Sequence, residues 1–236
     1  MTRTRWKVLA AVGVVALLGA ACGGDDDDTQ AAAGTDGTEQ DGGGDAGAEP
    51  STETGAAELR AGLTALLQEH VYLAGIAVST GVSAGLDSPA FEAAAGTLDE
   101  NSVALSEAVG GVYGDEAGSA FLELWRKHIG FFVDYTKAKA GGDEAGATAA
   151  REALDGYRAD FGAFLAGANP NLTQDAVAEE LVPHVDTVFS AIDAVVAGEP
   201  PFAELREAAQ VMPGTANVLA GAIVAQFPDQ FGSESE

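Results

Sequence analysis

The sequence predicts an all-α chain, a six-helix bundle built from three helical-hairpin repeats. Apolar residues recur at helical spacing from about residue 58 to residue 231, no stretch alternates as a strand, and three similar segments each hold one of the chain's three histidines. Seven residues before His70, His128 and His184 stand Leu63, Phe121 and Val177, and three before stand Leu67, Trp125 and Leu181. One residue after stand Val71, Ile129 and Val185, and four after stand Ala74, Phe132 and Val188. These offsets put each histidine inside one apolar stripe of a helix. The copies recur after 58 and then 56 residues, the length of two helices with two turns.

Composition narrows the function classes. With 236 residues and 47% hydrophobic content, the chain can bury the core of one ordinary domain. A net charge of -26 with only eleven Lys and Arg argues against nucleic-acid binding, which needs a clustered positive surface. Adsorption to an anionic membrane surface is disfavoured for the same reason.

Taken in order, the chain opens with Arg3, Arg5 and Lys7, an apolar core from Val8 to Leu18, and Gly19-Ala20-Ala21-Cys22. At about 14 residues, the apolar stretch is shorter than the roughly 20 that a spanning helix requires. The segment resembles the lipobox of bacterial lipoproteins processed by signal peptidase II, with Gly19 where that family usually has Leu. The resemblance implies removal of residues 1–21 and diacylglycerylation of Cys22. The protein would then be lipid-anchored on the extracytoplasmic face of the cell membrane. An ordinary secretory peptide with an incidental cysteine is the alternative. Cys22 is the only cysteine, so no disulfide can form within the chain.

Residues 22–57 read as a disordered acidic, Gly-rich tether. Between Gly23 and Ala57 there are ten acids and no base, too little apolar surface to offset chain entropy. A flexible segment of this length spans on the order of 30 Å. Asp25 to Asp28 read as a solvated charge run, since no EF-hand spacing follows.

The bundle is expected over residues 58–231. Helix one is expected from about Ala57 to Thr80, with Leu59, Leu63, Leu66, Leu67, His70 and Leu73 inward. Ser88-Pro89 supplies an N-cap and an N1 proline for helix two, whose stripe is Phe91, Leu98, Asn101, Leu105, Val109 and Val112. Helix three runs from Asp115 to just before Gly141-Gly142. Asp143 caps helix four, with Leu154, Tyr157, Phe161, Phe164 and Leu165 inward. After the break at Asn169-Pro170-Asn171, helix five is expected from Thr173 to Val196. The turn Gly198 to Pro201 leads to helix six, with Phe202, Leu205, Met212, Leu219, Ile223 and Phe227 inward. Residues 232–236 read as a frayed polar tail. The even helices also align: Phe91, Ala147 and Phe202, then Leu98, Leu154 and Ala209, then Asn101, Tyr157 and Met212. Each stripe thus carries a potential donor atom at one level.

Several chemistries lack their motifs. Gly81-Val82-Ser83-Ala84-Gly85 fits G-x-S-x-G, but a nucleophile elbow needs a strand-to-helix turn and this stretch ends a helix. There is no E-x-x-H pair for a di-iron bundle, no C-x-x-C-H for covalent haem, no P-loop and no dinucleotide fingerprint.

The histidines remain. If the odd helices run parallel around a pseudo-threefold axis, His70, His128 and His184 converge, and three neutral imidazoles are a usual first shell for zinc or copper. Met212 would add a sulfur ligand favouring copper. Pro183 and Pro213, beside His184 and Met212, each free a carbonyl and kink the helix there. The competing reading is a repeated core position whose histidines bond to nearby Asn, Tyr or carbonyl groups.

Leu124 to Tyr135, together with Gly221-Ala222-Ile223-Val224-Ala225-Gln226-Phe227-Pro228, resembles a helical domain of secreted Gram-positive proteins labelled copper amine oxidase-like. The resemblance covers about residues 58 to 231. It implies that His70, His128 and His184 match family positions, with Val211 where a further histidine is expected. Amine oxidase activity is not supported, because the topaquinone cofactor needs a tyrosine in N-Y-[DE] and the chain has none. The expected function is a membrane-anchored binding module for copper, zinc or haem. The alternative is a structural or protein-interaction domain of the cell envelope.

Overall fold

The computed structural model describes residues 54–231. Cys22, the segment 1–21, the acidic stretch to residue 53 and the tail 232–236 lie outside the described residues. Each helix starts and stops where the local chemistry directs. The Thr54 hydroxyl accepts from the Ala57 N–H at 3.2 Å, so α1 (Gly55–Ala84) begins slightly ahead of the expected boundary. Gly85, at φ 99°, ends it by donating its N–H to the Gly81 carbonyl. Ser88 caps α2 (Pro89–Tyr113) through the Phe91 N–H at 3.1 Å. α3 (Asp115–Gly141) has no side-chain cap, but Asp115 and Glu116 in its first turn complement the helix dipole. Asp143 caps α4 (Glu144–Ala168) through the Gly146 N–H at 3.0 Å.

The expected fifth helix is in fact two, α5 (Gln174–Glu180) and α6 (Val182–Val196), divided at Leu181. Pro183 has no N–H to bond the Glu179 carbonyl, and the ladder fails there. Pro213 does not break α7 (Phe202–Gln226). The carbonyl it leaves free, that of Ala209, instead accepts from Gln68 Nε2 of α1 at 3.1 Å. A final turn, α8 (Pro228–Phe231), folds the buried Phe231 back onto the core.

The result is an all-α bundle, with no strand among the described residues. Helices adjacent in sequence pack side by side, α7 closes the ring against α1, and the odd-turn elements α1, α3 and α6 also meet one another at the centre. Chain reversals at short turns make those three parallel, the arrangement that converges the repeat. Helices α2 and α3 approach closely at Gly118, where a Cβ would lie 2.8 Å from the Ser106 carbonyl. Leu154 and Ile192 are almost wholly enclosed, and truncating such a side chain to Ala costs about 2–5 kcal/mol. One inward expectation fails: Phe202 is 77% exposed. It is the first residue of α7, beyond the neighbours that cover its repeat partner Ala147.

A polar cluster ties the end where α2, α4 and α7 finish. Asn169 Nδ2 donates to the Tyr113 hydroxyl at 2.9 Å, which donates to Gln226 Oε1 at 3.1 Å, and Gln226 Nε2 donates to the Ala168 carbonyl at 3.1 Å. Helices α1 and α7 are long and apolar enough to cross a membrane by length and composition. Each nonetheless buries one face in the bundle and carries charge on the other, Arg60 and Glu69 on α1, Arg206 and Glu207 on α7.

Candidate functional site

His70 on α1, His128 on α3 and His184 on α6 all lie buried where the central helices meet. Each stands in the middle of an apolar stripe, so helix packing carries it inward regardless of its polarity. The ring centroids of His70 and His128 are 5.4 Å apart, and those of His70 and His184 are 6.3 Å apart. His70 Nε2 and His128 Nε2 approach to 3.3 Å. That distance allows one ring's Nε2–H to donate to the other's Nε2, the tautomers deciding which. It matches the separation of about 3.3 Å between two nitrogens each about 2.0–2.1 Å from one tetrahedral ion. Among the described residues no three His, Cys, Asp or Glu side chains are already gathered around one point. The His70–His128 pair is in place, and His184 flanks it.

The level is notable for what its polar atoms lack. The Nδ1 atoms of all three histidines, Asn101 Oδ1, Trp125 Nε1 and the Tyr157 hydroxyl are buried without a hydrogen-bond partner. A buried polar group left unpaired costs about 1–3 kcal/mol, so these atoms weigh on the stability of the core. The competing expectation, each imidazole bonded to its own acceptor, has a candidate acceptor at two of the three rings, Asn101 for His70 and the Trp125 carbonyl for His128.

Each histidine is accompanied by the donor from its own hairpin. Asn101 stands beside His70, held by hydrogen bonds from its Nδ2 to the Leu66 carbonyl at 3.0 Å and to Glu69 Oε2 at 2.8 Å. The Tyr157 ring lies 5.0 Å from that of His128. Met212 shares with His184 the lining of a second apolar cavity below the level, on the side of Trp125 and Leu63. Of the sequence-aligned donors, Asn101 and Tyr157 thus stand beside the histidines of their own hairpins, while Met212 is buried and faces the lower cavity. What the stripe pattern did not expose is Trp125, whose ring packs edge-on 4.5 Å from His128 while its N–H stays unpaired. Its spacing is that of any core aromatic.

Burial decides the protonation state. Removal from water drives His70 down to about 3, with the nearby His184 adding to the effect and Asn101 opposing it. Burial likewise lowers His184 to about 4 and pushes His128 well below its ordinary value, the latter helped by His70 and His184. Asn101 and the Trp125 carbonyl stand near His70 and His128, but neither contact reaches hydrogen-bond geometry. All three rings are therefore neutral at pH 7, the form that ligates metal. With Nδ1–H turned toward Asn101, His70 would present the Nε2 lone pair to the 3.3 Å gap, the arrangement by which outer groups fix ligand tautomers.

Above the level, the histidines floor an apolar cavity of about 120 Å³ that extends toward the α1–α2 and α6–α7 turns. At its rim Arg126 and Asp99 form a bidentate ion pair with both contacts at 2.7 Å. A separate cluster locks α3, α4 and α6: Tyr135 donates to Asp193 at 2.8 Å and accepts from Arg151 at 2.7 Å, whose guanidinium lies 3.9 Å over the Phe189 ring. The Ser83 hydroxyl donates back to the Ser79 carbonyl at 2.7 Å on the exposed last turn of α1, which is no nucleophile elbow. No family model matches this chain, and comparison with curated proteins and with solved structures found no match.

Proposed function

We propose that this chain is a membrane-anchored extracytoplasmic module that binds a transition metal, copper or zinc, at His70, His128 and His184. The observation that carries it is the 3.3 Å approach of two neutral imidazole nitrogens in a layer of unpartnered polar atoms. His70 and His128 would supply two nitrogens, and His184, whose ring centroid lies 6.3 Å from that of His70, would supply the third. Met212, on the far side of His184, would favour copper if it joined. Haem is a poorer fit, because a cavity of about 120 Å³ is too small for the macrocycle. Asn101, Tyr157 and Trp125 would serve as outer hydrogen-bonding groups.

The test is metal analysis and thermal unfolding of the tag-free domain. Added Cu²⁺ or Zn²⁺ at about 100 times its Kd should stabilise by about 2.7 kcal/mol, and any one of the three His→Ala changes should abolish the response. A metal-free protein whose melting temperature ignores both ions contradicts the reading. The address rests on the lipobox resemblance at Cys22, because two acyl chains suffice for stable attachment. Cys22→Ser should release the protein from the membrane fraction of a lipoprotein-processing bacterium; a wild-type protein that is already soluble and unlipidated contradicts the anchor.

A further inference from the structure

A metal site needs histidines at one point, but it does not need an open cavity over them. This one encloses about 120 Å³, close to the roughly 150 Å³ of an apolar cavity that stays dry and takes up benzene or xenon. Val71, Ala74, Val78, Phe132, Val188 and Ile192 form its walls. Its outer end lies between the two turns, where half-buried Leu86 and Phe91 face Pro201 and Leu205. The polar groups of the upper part are already occupied. The Thr136 hydroxyl donates to the Phe132 carbonyl at 2.8 Å, and Asp99 and Arg126 hold each other. Hydrogen-bonding demand therefore comes from the floor alone.

That one-sidedness selects a guest. A cationic molecule would meet the like charge of a bound metal, and a small anion could pair with the metal but would leave the apolar walls unfilled. A wholly apolar molecule would leave the floor unpartnered. We infer that the cavity binds a small neutral molecule, apolar over most of its surface and carrying one lone-pair donor atom, of the size of an azole or pyridine. Its donor end points down to the His70–His128 level and its apolar body fills the space beneath Leu86 and Leu205. The inference rests on the metal reading for the partner of the donor atom, and on the cavity alone for the size and polarity of the guest.

Pyridine, neutral at pH 7, is the probe, with benzene as the control that lacks the donor. In the copper-loaded protein, pyridine should shift the Cu²⁺ d–d band saturably, whereas benzene should leave the band in place and compete with pyridine. Ala74→Leu fills the cavity from a half-buried wall position and should keep copper while weakening pyridine binding by about tenfold or more. Ala191→Val, on the opposite wall, is the second variant if Ala74→Leu unfolds. An unchanged pyridine shift in a folded cavity-filled variant, or no shift in copper-loaded wild type, overturns the inference. If copper does not bind, the metal reading fails separately, and melting temperatures of the metal-free protein decide. Pyridine, its nitrogen accepting from an imidazole N–H of the alternative tautomer, must then stabilise wild type more than benzene does, and neither must stabilise the filled variant. Equal or absent stabilisation overturns the inference.

Discussion

At the end of the bundle, Asn169, Tyr113 and Gln226 bond their side chains to one another, whereas at the histidine level the three Nδ1 atoms, Asn101 Oδ1, Trp125 Nε1 and the Tyr157 hydroxyl are buried without a partner. The first joins the ends of α2, α4 and α7 and is half-buried except at Asn169, whereas the second lies buried where α1, α3 and α6 meet. The first behaves as structure: Asn169, 1% exposed, also accepts from the Asn171 N–H at 2.9 Å and so fixes the break between α4 and α5. The second keeps its lone pairs and N–H groups free inside the protein, at a cost the first avoids.

The largest expected contrast is with acid. In the metal-free protein the three histidines have folded values below the ordinary one of about 6.5, to about 3 for His70 and about 4 for His184, while their unfolded values are ordinary. As pH falls below about 6.5 the unfolded chain takes up protons that the folded chain refuses. Stability present above that value is therefore lost progressively toward pH 4, by about 1.4 kcal/mol per pH unit for each histidine. Urea unfolding across pH 7 to 4 should show this slope, and each His→Leu change should flatten it by one histidine's share. A slope that no such change alters would place the acid sensitivity elsewhere. The Asn169 cluster has no group that titrates in this range, because burial raises the Tyr113 hydroxyl above its ordinary value.

The next contrast is mutational. Asn169→Ala leaves the Asn171 N–H unpaired and the Tyr113 hydroxyl with Gln226 alone, so it should cost about 1–3 kcal/mol with the metal response intact. Equilibrium denaturation checks the first clause and metal titration the second. The smallest effect is expected for His128→Leu without metal. It replaces an unsatisfied ring with an apolar group of similar volume and should change stability by less than about 1.5 kcal/mol. A loss of several kcal/mol would mean that His128 is a satisfied core residue after all, and the contrast between the two clusters would collapse.

Much of this was legible because the information is local. Offsets of three, four and seven around each histidine fix which face turns inward, and a repeat of 56 to 58 residues fixes which helices are equivalent. From those alone came the convergence of His70 with His128 and His184, and the companions Asn101 and Tyr157. The failures are tertiary. Pro183 announces a disturbed helix, but only the surrounding packing decides that the chain divides at Leu181 while Pro213, with Gln68 reaching its freed carbonyl, stays within a continuous helix. The Phe202 position aligns with Ala147, yet no periodicity says that its turn projects past the neighbouring helices. The unpartnered Trp125 N–H was equally invisible, because spacing buries a side chain without saying what its polar atom will meet.

The closure of α7 on α1 has a consequence of another kind. Where Gly55 begins the first helix, an added Cβ would come within 3.2 Å of the Phe231 Cα at the end of the last. The two ends of the described chain thus meet at the seam that Gln68 and Ala209 pin farther along. Such a ring is cyclic in everything but its covalent order. Its three hairpins are equivalent stations around the histidine axis, and the place where the polypeptide is cut is incidental to the packing. A permuted chain that joined residue 231 to residue 55 by a short linker and opened at the exposed turn Gly141-Gly142 would keep every helix beside its present neighbours.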